Sequence, residues 1–243
     1  MNQKLCFLGM AALTVCAGCK HRPTPAPTLH ATAAGSALVE SSGGGQLGTP
    51  GAMLPQPLVV QVNDTQGNSA TGALVRFSGP AGVIFDPIES LTDSSGQATA
   101  NVTLGETAGR YELTAASPDK TGKQFFLRVS ELAAGYQQQL GYQLQDKYCA
   151  RCHDPDSSPE RVSNYDNLVV KPHPFTDGNT FNKLSDSDLT AIMAHGGPAL
   201  NRSALMPPYG TTLSKSGIQA LIAYIRLVSD PPYQPPGVVY AKQ

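Results

Sequence analysis

The stretch Tyr148-Cys-Ala-Arg-Cys-His153 sets two thiols and an imidazole within five positions. The chain has five cysteines. Cys6, Cys16 and Cys19 crowd the N-terminus, so Cys149 and Cys152 are the only pair elsewhere. Three chemistries use such a pair. Dithiol–disulfide exchange of the thioredoxin kind needs a βαβ context, which the surrounding pattern lacks. A zinc site needs four ligands, and no second cysteine pair exists to complete one. Covalent attachment of haem uses Cys-x-x-Cys-His, and of the three it alone needs a histidine directly after the second cysteine. The thiols of Cys149 and Cys152 add to the two vinyl groups of a single haem c. One helical turn spans that porphyrin edge, and His153 turns its imidazole to the iron from one face. In an oxidising compartment two unused thiols would close into a disulfide. The haem reading leaves neither unused.

A sixth iron position then needs a ligand, and four residues are candidates: Met193, Met206, His173 and His195. Met193 lies in a predicted helix beside Leu189 and Ile192, where methionine more often packs than binds. His195 ends that helix, where the dipole favours a cation. His173 sits in the loop "KPHPF". Met206 sits in "ALMPPYG", where two prolines fix the backbone and can hold a weak thioether at a metal.

These residues need helices to place them. From Glu131, "ELAAGYQQQLGYQLQDKY" carries Leu132, Tyr136, Leu140, Leu144 and Tyr148 at a spacing of four, one stripe of a helix that runs into Cys149. Ser185 with Asp188 three residues on makes a capping-box start. Gly196-Gly197-Pro198 stops that helix. Ser214 opens another, with Ile218, Leu221, Ile222, Ile225 and Val228 on one face. Asp230-Pro231-Pro232 ends it.

The region before is different. "LVVQV", "ALVRFSG", "GVIF", "ESLT", "QATANVTLG", "GRYELTAAS" and "KQFFLRV" read as short strands, with "NDTQGN" and "DSSG" as turns. Six or seven such strands predict an all-β sandwich. Asp64 and Asp93 fall in the turns, where Asp bonds the local backbone. No cluster of His, Cys or carboxylates marks a site there.

Met1–Lys4 is basic, Leu5–Val15 is apolar, and small residues follow, the pattern of an export signal. Its apolar run is too short for a membrane helix. Residues 22–57 are rich in Pro, Gly, Ser, Thr and Ala, and are read as a disordered tether. About 30 such residues reach about 30 Å. Net charge is −1, so no basic bias points to nucleic acid.

Three resemblances sharpen the reading. Ala17-Gly18 before Cys19 resembles a bacterial lipoprotein signal, which implies cleavage there and lipidation of Cys19. Lys20 after that cysteine, rather than Asp, resembles outer-membrane sorting. "LPQPLVVQVNDTQGN", "TDSSGQATANVTLG" and "AGRYELTAAS" resemble immunoglobulin-like domains of the invasin and intimin type, over about residues 40–130. "GYQLQDKYCARCH" and "LIAYIRLV" resemble class I cytochromes c over about residues 131–230. In that family a small residue, here Gly141, sits where the first and last helices cross, with an aromatic, here Tyr224, opposite. The usual aromatic four before the first cysteine is Gln145 here, so Tyr148, Tyr142 or Leu144 must fill the space. The family's distal methionine lies in a loop like that of Met206.

The expected layout is multidomain: signal peptide 1–18, tether 19–50, immunoglobulin-like sandwich 51–130, all-α cytochrome c domain 131–230 and Pro-rich tail 231–243. With His153 and Met206 both on iron, the expected role is one-electron transfer rather than catalysis. Redox proteins of the bacterial cell envelope are the expected partners, and the lipid anchor holds the chain at the periplasmic or extracellular face. No small-molecule substrate is expected. Residues 131–243 hold nine Lys and Arg against ten Asp and Glu, so docking would be short-range and apolar rather than steered by charge. Two other classes stay open: a haem enzyme or a subunit of an envelope oxidoreductase with an open sixth position, and a surface adhesion module with an accessory cytochrome.

Overall fold

The computed structural model describes residues 29–156 and 162–236. Nine strands come first: β1 Ala37–Ser42, β2 Leu47–Gly48, β3 Leu58–Asn63, β4 Leu74–Ser78, β5 Ile84–Asp86, β6 Glu89–Leu91, β7 Gln97–Thr103, β8 Gly109–Pro118 and β9 Gln124–Ala133. They form two sheets, ordered β1-β3-β7-β5 and β2-β9-β8-β4-β6. All pairings are antiparallel except the short β2–β9 contact. This is the two-sheet sandwich that the strand pattern predicts.

Alternation builds the core. Leu58, Val60 and Val62 of β3, Val75 and Phe77 of β4, Ala98, Ala100 and Val102 of β7, and Leu113 and Ala115 of β8 are buried between the sheets. Three turns share one device. The Oδ1 of Asp64 accepts from Gln66 N–H and Asn68 N–H, that of Asp93 from Ser95 and Gln97, and that of Asp119 from Thr121 and Lys123. Gly67, Gly96 and Gly122 take the positive φ that each turn needs. The turn aspartates are thus structural.

Two boundaries differ from expectation. The tether was expected to reach residue 50, yet β1 and β2 lie inside that range. Strand β1 buries only Leu38 and is held by backbone pairing, Ala37 opposite Asn63 through Ser42 opposite Val59. This edge strand, ALVESS, shows no apolar–polar alternation to read. At the other end, Glu131–Ala133 continues β9 rather than opening a helix.

The helices follow: α1 Tyr136–Tyr148, α2 Ala150–His153, α3 Gly178–Phe181, α4 Asp186–His195 and α5 Lys215–Val228. Helix α4 starts on the full Ser185–Asp188 capping box. Helix α5 buries Ile218, Leu221, Ile222, Ile225 and Val228, as its periodicity predicts. Helix α1 is phased differently from its expected stripe. Tyr136 is 84% exposed, while Gly141 and Gln145 are buried. The cause is the crossing with α5. A Cβ on Gly141 would sit 2.0 Å from the Ala220 carbonyl oxygen, so only glycine lets the helices approach this closely. Tyr142 packs on Tyr224 at 5.6 Å beside the crossing.

The sandwich touches the helices directly. Leu132 packs against the helical core, Gln139 Nε2 donates to Thr49 Oγ1, and Arg110 Nη2 donates to the Ser229 carbonyl at 3.1 Å. A cation there also suits the negative end of α5. Among the described residues no helix is long and apolar enough to cross a membrane. Cys19 and the rest of the signal, and residues 237–243 of the tail, lie outside the described residues.

Candidate haem site

Helix α1 delivers the pair. Cys149 N–H bonds back to the Gln145 carbonyl, ending α1, and the Cys149 carbonyl accepts from Cys152 N–H at 3.0 Å and His153 N–H at 2.9 Å, forming α2. Cys149 and Cys152 are therefore three apart on one turn and share a face. Both are free thiols. Burial, and then the neighbouring Cys152, push the Cys149 thiol up to about 12. That is the reverse of the lowered value an exchange-active thiol needs. Among the described residues no three His, Cys, Asp or Glu side chains gather as a metal cage.

His153 is held with care. Its Nδ1 lies 2.8 Å from the His173 carbonyl oxygen. A carbonyl only accepts, so Nδ1 carries the proton and Nε2 keeps its lone pair. Burial holds the imidazole below its usual value, against the raising effect of that hydrogen bond, so the neutral ligand form is favoured. The Phe175 ring lies 5.0 Å from the imidazole and stacks edge-on against Phe181 at 5.5 Å. The donor set fits a c-type haem: two thiols on one helical turn, then a neutral imidazole whose far nitrogen is free by construction.

The candidates for the sixth position separate. The His173 ring Nδ1 lies 2.8 Å from Asp177 Oδ2, and its carbonyl is on the Nδ1 side of His153. His173 thus backs His153 and does not face it. Thr180 first, and then His173, hold the Asp177 carboxyl below the usual range through hydrogen bonds. Met193 is 5% exposed and packs within the helical core. His195 is exposed at the end of α4. Met206 is half-buried in a pinned loop. Its carbonyl accepts from Gly197 N–H, while Tyr209 N–H and Gly210 N–H bond the Met193 and Ala194 carbonyls. Tyr209 then donates its hydroxyl to the Tyr148 carbonyl at 2.9 Å, one residue before Cys149. That bond brings the Met206 loop to the Cys149–His153 turn.

Tyr209, Phe175 and the His173 carbonyl were not singled out from the sequence. For Phe175 and the His173 carbonyl the one signal was the pair of prolines around His173, which favours an extended backbone there.

Residues 137–225 match the family model described as cytochrome C oxidase, cbb3-type, subunit III. No curated protein matches the chain. Among solved structures, the D00-D0 domain of intimin is 14% identical with a TM-score of 0.31, over 40% of this chain and 46% of that one. Invasin, a bacterial integrin-binding protein, is 17% identical with a TM-score of 0.32, over 43% of this chain and 21% of that one. The adhesin InvE of Yersinia pseudotuberculosis is 14% identical with a TM-score of 0.28, over 41% and 32%. The chain spans under half the length of each of these three. Likenesses at these scores add nothing to the strand topology above. The helical part is settled by the family match over the Cys149–His153 turn and the α1–α5 crossing: residues 137–225 are a cytochrome c domain.

Proposed function

We propose that this chain is a lipid-anchored c-type cytochrome that carries single electrons in the bacterial cell envelope. A cytochrome c domain implies covalently bound haem c and haem-based electron transfer. The observation that carries the finer reading is the His153 Nδ1 to His173 carbonyl bond, directly after two thiols on one turn. Cys149 and Cys152 would hold the haem covalently through thioethers, and His153 Nε2 and the Met206 sulfur would hold its iron. Haem supplies the one-electron couple. Two protein ligands would leave no open position for oxygen or peroxide, and a thioether raises the potential relative to a second histidine.

Anchoring at Cys19, outer-membrane placement and a spacer role for the sandwich belong to the same proposal. The export pattern at residues 1–19 supports the first. Direct contacts through Arg110, Leu132 and Gln139 support a sandwich that travels with the haem domain. The near balance of charge favours partners that dock through apolar surface at short range.

The test is a visible spectrum of the protein made in a strain that matures c-type cytochromes. Sharp reduced bands, a weak far-red band in the oxidised form and loss of that band in Met206→Ala are expected. A high-spin oxidised spectrum that shifts with cyanide would replace the carrier by a haem enzyme or sensor.

A further inference from the structure

The loop that backs His153 is closed on itself. Pro172 and Pro174 flank His173, so its backbone is extended and cannot form a helical turn. Asp177 N–H then donates to the Pro174 carbonyl at 2.9 Å, a tight turn that carries residue 177 back over residue 173. There Asp177 Oδ2 meets His173 Nδ1 at 2.8 Å, with Thr180 Oγ1 at 3.2 Å from the same nitrogen. The other oxygen, Oδ1, accepts from Thr180 N–H at the start of α3. Beyond the turn the loop is fixed: Gly178 N–H donates to the Asp230 carbonyl, and Asp230 N–H to the Thr176 carbonyl.

Two contacts on the His153 ring come from this one loop. The His173 carbonyl holds Nδ1, and Phe175 packs on the ring. The base of the loop is tied to the end of α5. Near residue 173, the tie from the loop's own side chains is the one to Asp177 and Thr180.

We propose that Asp177 is a positioning residue for the haem iron: by gripping the His173 ring it keeps the His173 carbonyl on His153 Nδ1. This rests on the reading of His153 as the iron ligand. A half-exposed pair adds little to global stability, so its effect falls on placement. A hydrogen bond donated by Nδ1, the nitrogen turned away from the iron, makes a ligating imidazole a stronger donor, which stabilises ferric iron. Loosening the grip therefore raises the reduction potential.

The experiment uses the haem-loaded full chain. Asp177→Ser keeps a side chain able to cap α3 but too short for His173. His173→Ala keeps the carbonyl and removes the ring. Potentials are measured by spectroelectrochemical titration, and the ring orientation of His153 by the paramagnetically shifted haem methyl signals of the ferric protein. Both variants are expected to keep covalent haem, to shift the potential upward by the same amount and to move the methyl pattern alike. The double variant is expected to match either single one, since the two residues act through one contact. Asp177→Asn, which retains an acceptor, is expected to fall between, and it serves if Asp177→Ser does not fold. Unchanged potentials, or additive shifts, would overturn the proposal while leaving the haem reading intact. A wild-type protein without covalent haem would overturn the haem reading, and this proposal with it.

Discussion

The sandwich and the helical domain use the same kind of residue for different ends. In the sandwich, Asp64, Asp93 and Asp119 each bond backbone N–H groups no more than four residues away. In the helical domain, Asp177 also bonds its local backbone, but its second oxygen reaches a histidine whose carbonyl holds His153. Tyr209 spans 61 residues to reach the Tyr148 carbonyl. Polar groups that end in their own turn build a scaffold. Polar groups that converge from distant segments on one helical turn build a site.

The largest expected contrast between the two regions is spectral. His153→Ala should lose the low-spin haem spectrum, or haem altogether, while Asp64→Ala should leave the spectrum as it was. Equal spectra for the two variants would erase the division of labour.

Next in size is Glu131, the exception in the sandwich. Its carboxyl points into the core, with Oε2 accepting from Gln46 N–H and Oε1 unpartnered. Burial raises it to about 7, with Glu40 adding to the rise against bonds from Gln46 and Gly45. The folded state therefore holds a proton that the unfolded chain releases above about 4.5. Stability from this group is full below that value and is lost as pH rises to about 7, on the order of 3 kcal/mol in all. Denaturant melts at pH 5 and pH 8 should show that loss in the wild type, and Glu131→Gln should abolish most of it.

Gly141→Ala should follow, costing about 1–3 kcal/mol by forcing α1 from α5. Its haem domain should melt earlier, with the sandwich transition unmoved. A shared single transition would show instead that the two regions unfold as one. The smallest effect is expected in acid. Asp64 and Asp93 are held below the ordinary carboxylate range chiefly by backbone bonds from Asn68 and Gln97 respectively. Their contribution is present above that range and fades as pH falls through the lowered values. Asp93→Asn should flatten the wild type's acid-side decline without touching the haem bands.

Much of this was legible in the chain. Strands β3, β4 and β7–β9 alternate in their side chains, and α4 and α5 carry caps and a clear apolar face. The Cys-x-x-Cys-His spacing encodes its chemistry locally. What stayed hidden depends on distant partners. Strand β1 exists because β3 offers a free edge. Helix α1 is phased by Gly141 meeting Ala220, not by its own stripe, so Gln145 is buried and Tyr136 is not. Glu131 looked like the start of a helix because one acidic residue cannot announce a place in a sheet. The carbonyl that backs His153 has no side-chain signature at all.

The most direct test is the intact mass of the purified protein under denaturing conditions, for the wild type and for Cys149→Ser with Cys152→Ser. The account predicts one haem retained covalently by the wild type and none by the double variant. A wild-type mass without haem, with Cys149 and Cys152 joined as a disulfide, would contradict it.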